Sequence, residues 1–516
     1  MATIARKARR RNAQGPRPKQ MQRRRRRQRQ RRRPQRPRPL PRGILRLAGN
    51  LVQALAAAFT RPTAERFVVL LFAAILTTGC RTILNLLRTV NHLAPGHPSS
   101  YHRVFSQRCW SLWRLGRVLA DYILTRWVPT GIVAVAGDDT VAEHRGKKVY
   151  GKGCHRDAVR STHSYTAYRW GHKWVVLVIL VQFPFATRPW GLPVLVALYH
   201  SEDWNKKHGR RHKTPCALVR QLLVVLLRWF PERRFRFTAD GNFATHELAA
   251  FGHRRQPRLA LVSKFYADAN LYAPPPPVRG KKSAGRPRCR GAKLPKPAEV
   301  VARKRRQQKL NVAWYGGGRR DISVVTATAY WYKSGRGLVP VRWVYVRDRT
   351  GTHRDEYFFT TDLELTARQI VESYTGRWNI ETTFQEMRSY LKLEKTRGWR
   401  EKTVLRTAPC LFGLYAVIAL WYADLPARWR KHQVVTYAGK HDVTFSDAIT
   451  AVRRWLWDEW VFATPEHKGA FAKIPPRLRD ALLQAVAPAA YGAKKGKSRT
   501  QRQTDQSSLT DEEERE

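Results

Sequence analysis

The sequence is poor in cysteine, with six among 516 residues. No two of them form a CxxC pair or a regular spacing; they are Cys80, Cys109, Cys154, Cys216, Cys289 and Cys410. Disulfide-stapled domains and common zinc sites both need closely spaced cysteines. The sequence therefore predicts neither a disulfide framework nor a zinc site, and it fits a reducing compartment such as the cytoplasm.

Acidic residues are also scarce, at 37 Asp+Glu against 98 Lys+Arg, which leaves a net charge of +61. Such a chain is expected to bind polyanions, above all nucleic acid. Residues 1–43 hold 19 of the basic residues and no acid. This segment cannot bury a core and is expected to be a disordered arm. It is interpreted either as a nonspecific DNA-binding tail or as a dispensable extension.

Long hydrophobic runs are missing. The two longest, residues 67–77 and 408–423, fall short of the roughly 20 residues that span a bilayer, so both are expected to be buried helices and no membrane partner is predicted. With 43% hydrophobic residues and 18 Trp, the chain has enough apolar material for a large core. Its length is that of two to four domains.

Hydrophobic periodicity divides the chain into helical ends and a mixed centre. The centre alternates strand-like and helix-like segments, which predicts an α/β fold. The predicted parts are a disordered arm (1–43), a helical domain (44–128), a first core part (129–270), a basic linker with a β-rich insertion (271–350), a second core part (351–400), a helical C-terminal region (401–495) and a disordered tail (496–516).

The most informative segment lies in the second core part. Tyr374, Arg377, Glu381 and Arg388 stand three, four and seven residues apart, which places them within roughly a 60° sector of a helix. A carboxylate there can bind a hard cation, arginines can grip phosphate, and a tyrosine can bond to or stack on a nucleotide. The alternative is a solvated amphipathic helix with ordinary ion pairs.

Two upstream strands are predicted to end in carboxylates. A run of small apolar residues, 131–137, leads into Asp138 and Asp139, and an alternating run, 234–239, leads into Asp240. Each aspartate alone is more often a cap or a turn former. Three carboxylates in the order strand, strand, helix form a more specific pattern.

With these residues in place, the sequence resembles the DDE transposases of bacterial insertion sequences, in particular the group with a Tyr-x2-Arg-x3-Glu-x6-Lys signature. Tyr374, Arg377 and Glu381 match that signature, while Arg388 stands at the lysine position. In that family the first aspartate is followed by one residue and then Thr or Ser, which favours Asp138 over Asp139. The resemblance covers roughly residues 131–399.

The resemblance implies an RNase H-like core that cleaves transposon ends and joins them to target DNA. It implies that Asp138, Asp240 and Glu381 are catalytic and hold Mg²⁺ or Mn²⁺, with two ions expected. Tyr374, Arg377 and Arg388 are then expected to contact DNA. The implied partners are double-stranded DNA, both the inverted repeats and the target, and a second copy of the chain in a synaptic dimer.

Several alternatives stay open at this level. The helical domain either recognises the inverted repeat or braces the core. Trp314, Trp331 and Trp343 either stack on an extruded base or belong to the core. The whole chain is alternatively an RNase H-like endonuclease without strand transfer, or a basic nucleic-acid-binding protein that has lost catalysis.

Overall fold

The computed structural model describes residues 42–157, 160–162, 164–276, 288–431, 442–463 and 465–488. Residues 1–41 of the predicted arm and all of the predicted tail, 496–516, lie outside this range. The described chain is a mixed α/β structure, as predicted.

Its N-terminal part is helical. Proline in the first turn and an apolar sequence favour the second helix, and most of its residues are buried in the core. The helices are α1 (Arg42–Ala56), α2 (Arg61–Leu76), α3 (Ile83–Val90), α4 (Pro98–Ser106) and α5 (Leu112–Trp127).

The centre of the chain forms one eleven-stranded sheet. Its strands are β1 (Ile132–Glu143), β2 (Gly153–Arg156), β3 (Tyr168–Val181), β4 (Trp190–Tyr199), β5 (Arg234–Ala239), β6 (Leu259–Lys264), β7 (Leu271–Tyr272), β8 (Gln308–Ala313), β9 (Arg319–Lys333), β10 (Gly337–Asp348) and β11 (Glu356–Thr360). The order across the sheet is β2-β3-β1-β5-β6-β11-β10-β9-β7, with β4 beside β3 and β8 beside β9.

The sheet is mixed in strand direction. β3 is antiparallel to both β1 and β4, whereas β5 pairs parallel with both β1 and β6. Parallel pairs need helical crossovers, and these are α6 (Glu202–Lys207) with α7 (Pro215–Trp229), then α8 (His246–His253). The long ladder between β9 and β10 continues this sheet, because β11 pairs with both β10 and β6.

The prolines and basic residues of segment 273–308 predict a mostly unstructured excursion, but its described part includes a helix. Residues 277–287 lie outside the described range, but α9 (Pro297–Arg303) forms after them. Trp314, Trp331 and Trp343 are all buried, which favours the core interpretation over base stacking.

The helices after the sheet cover it and close the core. They are α10 (Ala367–Gly376), α11 (Asn379–Tyr390), α12 (Glu401–Asp424), α13 (Ala427–Lys431), α14 (Phe445–Leu456), α15 (Pro465–Ala472) and α16 (Pro476–Val486). Val262 of β6 packs in a cluster with Ile370 of α10, whereas its neighbour Leu261 faces Gly252 of α8. Both faces of the sheet are therefore covered.

The apolar run at 408–423 belongs to a longer helix than predicted, because α12 begins at Glu401 and carries Pro409 in its interior. Among the described residues it is the one helix long and apolar enough to cross a membrane by length and composition. Of its most apolar 18-residue window, 61% is buried inside the protein, as in a core helix. This is weak evidence for a membrane span, and α12 packs on β4 and α14.

Candidate active site

The first carboxylate lies inside a central strand rather than at its end. β1 continues past Asp138 to Glu143 because its pairing with β3 runs on to Gly171. The prediction that the strand stops at the aspartates is therefore wrong. The second carboxylate, Asp240, directly follows β5, as predicted.

Register brings these two carboxylates together. The parallel ladder pairs Gly137 with Ala239, so Asp138 and Asp240 are the next positions on adjacent strands. The hydroxyl of Ser263 on β6 donates to the Ala239 and Asp240 carbonyls, at 2.8 and 3.2 Å, and holds the chain where β5 ends.

The signature segment forms two helices where one was predicted. α10 ends at Gly376 and α11 begins at Asn379, and the turn between them is tighter than an α-helix. The Arg377 amide bonds to the Tyr374 carbonyl, and the Glu381 amide to the Trp378 carbonyl, each spanning three residues. This turn places Arg377 at the junction and Glu381 in the first turn of α11.

Arg377 joins the strand carboxylate to the helix carboxylate. Its Nη1 lies 3.3 Å from the Asp138 Oδ2, and its Nη2 lies 2.9 Å from the Glu381 Oε1. The side chain of Arg377 is only 6% exposed, and its Nε is buried with no hydrogen-bond partner among the described residues. The buried guanidinium thus contacts two carboxylates through its Nη atoms, and its Nε donor stays unused.

Tyr374 completes the cluster from α10. Its hydroxyl donates to the Asp240 Oδ1 at 3.5 Å, and its ring stacks on Phe358 of β11 with centroids 4.2 Å apart. The side chain is buried, so the ring is covered by protein in this structure. Its contact orients Asp240.

Burial sets the electrostatics of the cluster. It raises the pKa of Asp138 to about 7; Arg377 opposes the rise, and Asp139 and Glu381 add to it. Burial lowers the pKa of Arg377, but the charges of Asp138 and Glu381 outweigh it and leave that pKa raised. The cluster therefore favours a bound cation.

The two adjacent aspartates have different partners. Asp139 forms an ion pair with Lys173 of β3, with the Oδ2 and Nζ atoms 3.0 Å apart. Its amide donates to the Asp138 Oδ1 at 2.7 Å. Asp138 is thus the one of the two that contacts Arg377.

Arg388 lies beside this cluster and braces β1. Its Nη2 donates to the Thr140 hydroxyl and, at 3.4 Å, to the Val141 carbonyl. Its Nε lies 3.4 Å from the Glu394 Oε1. The structure therefore brings five of the six predicted residues together and places Arg388 one step along the strand.

Sequence reasoning missed a second ion pair at the same edge of the sheet. Lys264 ends β6 and pairs with Glu356 of β11 at 2.7 Å, and the Tyr315 hydroxyl lies 3.5 Å from the same carboxylate. Burial raises the pKa of Tyr315, and the charges of Glu356 and Glu381 add to the rise, so Tyr315 borders the site. A correct alignment of β5 with β6 would have pointed to Lys264. Ala239 pairs with Ser263, so the next positions along the two strands are Asp240 and Lys264.

The donor set suits a hard divalent cation. Asp138, Asp240 and Glu381 offer only carboxylate oxygens, which Mg²⁺ and Mn²⁺ prefer. Two of them already converge on one cationic group, Arg377. In the part of the chain that the structure describes, no three His, Cys, Asp or Glu side chains are close enough to hold an ion as they stand. A metal ion would therefore compete with the guanidinium for these oxygens.

Comparison with known proteins gives one match at the level of family. Residues 54–321 match the model of the DDE superfamily endonuclease family, a range that includes Asp138 and Asp240 and ends before Glu381. No match was found among the curated proteins. Among solved structures, the cryo-EM structure of a piggyBac transposase synaptic complex with hairpin DNA is similar at a TM-score of 0.36 and 12% identity, over 85% of this chain and 79% of that chain. Because the family match covers just over half of the sequence, this chain belongs to the DDE superfamily endonucleases.

Proposed function

We propose that the protein is a DNA transposase, which cleaves the ends of a mobile element and joins the freed 3′ ends to target DNA. The observation that carries this proposal is the contact of Arg377 with both Asp138 and Glu381. It ties the signature helices to the strand carboxylates of a DDE endonuclease. The finer assignments of the proposal are a bacterial insertion-sequence origin, an RNase H-like core, action as a homodimer on inverted repeats and target DNA, and a cytoplasmic location.

In this proposal Asp138, Asp240 and Glu381 hold one or two Mg²⁺ or Mn²⁺ ions. Bound there, such ions activate an attacking oxygen and stabilise the leaving oxygen at phosphorus. Tyr374 keeps Asp240 oriented through its hydroxyl. Asp139 stays engaged with Lys173 and takes no part in ligation.

Arg377 has two roles in succession. Without metal or DNA it neutralises Asp138 and Glu381. When DNA binds, its unused Nε and the donors released from the carboxylates are available to a phosphate oxygen, with which arginine forms strong bidentate bonds. The basic balance of the chain, +61, favours the same substrate.

The experiment is a cleavage and joining assay on the DNA that flanks the gene, with and without Mg²⁺. The proposal predicts metal-dependent nicking at inverted repeats and a joined product with target DNA. Nicking without joining would support the endonuclease alternative instead. Tight binding with no nicking in Mg²⁺ or Mn²⁺ would support a DNA-binding protein that has lost catalysis.

A further inference from the structure

A cluster of large aromatic side chains is exposed at the far end of the β2–β3 hairpin. Tyr168 is 67% exposed, Trp170 is 58% exposed and Trp399 is 56% exposed. Tyr168 and Trp170 are two residues apart on β3 and so project from the same face. The Trp399 carbonyl accepts from the Tyr150 amide at 2.9 Å, which places Trp399 beside the chain that leads into β2. Exposed aromatic patches of this kind usually contact a partner.

Cations lie over two of these three rings. The Lys152 ammonium lies 5.3 Å from the Trp170 ring centroid, and the Arg400 guanidinium lies 4.9 Å from the Trp399 centroid. The same end of the molecule exposes further basic side chains, namely Arg145, Lys147, Lys148, Arg156, Lys395 and Arg397. We call the three rings and these cations the hairpin surface.

The acids at this end are already paired. Glu143 pairs with Arg145 at 3.1 Å, and Glu401 lies 3.6 Å from Arg210. The hairpin surface therefore offers flat aromatic faces in a field of positive charge. The complementary partner is an anion with flat apolar faces, which is the chemistry of nucleotide bases on a phosphate backbone.

We propose that the hairpin surface binds DNA that has an unpaired base, with Trp170 and Tyr168 stacking on it. If a duplex runs along β3, the distance of this surface from the carboxylates sets the position of that base. Val176 of β3 is the register partner of Asp138, and Trp170 lies six residues back along the same strand with the same parity. At about 3.3 Å per residue this is roughly 20 Å, or about six base pairs from a phosphate held at Asp138.

This surface lies outside the proposed catalytic site, because none of its residues contacts the carboxylate cluster through a hydrogen bond or an ion pair described above. An intact duplex keeps its bases stacked on one another, so a tryptophan face gains a partner only where a base is unpaired. The proposal therefore assigns to this hairpin the recognition of a distorted or unpaired position, in addition to phosphate contacts.

Affinity alone does not distinguish stacking at this surface from nonspecific binding, because a chain of charge +61 is expected to bind any DNA. The test therefore uses 2-aminopurine, whose fluorescence is quenched by stacking. The probe is a duplex with 2-aminopurine as a one-base bulge six base pairs from one end, titrated to saturation with the full chain in EDTA so that no cleavage occurs. The fully paired duplex is the reference probe.

The wild-type chain is expected to deepen the quenching of the bulged probe and to change the paired probe little. Trp170→Ala and Tyr168→Ala should each lose at least about half of that added quenching. Trp170→Phe should retain most of it, because the flat ring remains. The matched control is Trp113→Ala, which removes a tryptophan of similar exposure (49%) from α5.

Four results would overturn the proposal, and the first three concern quenching. They are no added quenching by the wild-type chain, the same quenching by Trp170→Ala as by the wild type, and an equal loss in Trp113→Ala. A fourth is a wild-type dimer in sedimentation without DNA that Trp170→Ala abolishes, because the surface would then join two copies. None of these readouts depends on cleavage, so the proposal can fail while the catalytic assignment stands.

Discussion

Asp138 is the residue at which burial and charge conflict most strongly. Its carboxylate is placed in the core of the sheet, where an ion is poorly solvated, and its pKa rises to about 7. Arg377 offsets part of this cost at 3.3 Å. A carboxylate held in this way binds a proton or a divalent cation more readily than an exposed aspartate does.

Metal affinity should therefore depend on pH with a break near the pKa of Asp138, about 7. Below that value a proton occupies the carboxylate and must leave before a metal ion binds, so affinity for Mn²⁺ should fall by up to about tenfold per pH unit. Above it, affinity should be nearly flat. Calorimetric titration from pH 5.5 to 8.5, without DNA, measures this, and a flat profile over the whole range would contradict it. Asp139→Asn should keep the break.

The choice between the two adjacent aspartates rested on a motif. The residue two positions later favours Asp138, and in the structure Asp138 contacts Arg377 while Asp139 pairs with Lys173. Parity could not make that choice, because both faces of the sheet are covered. The Lys264–Glu356 pair was missed because β11, which carries Glu356, follows a long excursion and its pairing with β6 is a tertiary contact.

At the scale of elements, the turn between α10 and α11 is what builds the site. In an unbroken helix, the Arg377 amide would bond to the carbonyl four residues back. Here the chain makes a tight turn at Arg377 and Trp378, and the Arg377 side chain contacts two elements. Arg377 thereby reaches β1 and α11 at once. Its guanidinium occupies the space between two of the proposed metal ligands.

Replacing Arg377 should consequently separate metal binding from DNA cleavage. Arg377→Gln removes the competing cation, so Mn²⁺ should bind more tightly without DNA, by roughly tenfold. Cleavage should fall by about tenfold to a hundredfold, because a charge-assisted phosphate contact is lost. Metal titration and a cleavage time course on the same preparation measure both. A metal affinity that falls as far as in Glu381→Gln would show that Arg377 supports the ligands rather than competing with the ion.

Arg388 makes a different prediction from the one that the signature suggests. Its contacts with Thr140 and Val141 join α11 to β1, so Arg388→Ala removes a donor from the Thr140 hydroxyl and the Val141 carbonyl. Glu394 also loses its ion pair with Arg388 but keeps the bond from Arg169. The free energy of unfolding should fall by about 1–2 kcal/mol. Arg145→Ala removes an exposed arginine that pairs with Glu143, and it should change stability little. Equal denaturation midpoints for the two variants would contradict the bracing role of Arg388.

Elements were predictable from periodicity, and their ends and partners were not. Strand-like runs at residues 174–181, 192–199, 259–264, 324–332 and 339–347 predict five strands, and β3, β4, β6, β9 and β10 contain them. β1 extends beyond its predicted end because its backbone pairing with β3 continues past the polar aspartates. Apart from Gly376, no glycine or proline marks the break between α10 and α11. The local sequence therefore did not predict it.

At the scale of the whole molecule, a single mixed sheet gathers residues that are far apart in the chain. Asp138 and Arg377 are separated by 239 positions and meet because β1 lies beside β5 and α10 packs on β5, β6 and β11. The helices before β1 and the long helix α12 pack on the same core. The catalytic account therefore depends on long-range packing more than on any one segment.

The central claim is that Asp138, Asp240 and Glu381 together are the catalytic carboxylates. The most direct measurement is Mg²⁺-dependent nicking by Asp138→Asn, Asp240→Asn and Glu381→Gln, beside Asp139→Asn and Glu356→Gln, two carboxylates in the same cluster that have lysine partners. The first three should each lose nicking by about a hundredfold or more, since a lost metal ligand removes several kcal/mol of transition-state stabilisation. They should keep wild-type DNA binding and thermal stability, and the two controls should stay within about tenfold of wild type. Near-full nicking by any of the first three, or a dead Glu356→Gln with an active Glu381→Gln, would contradict the account.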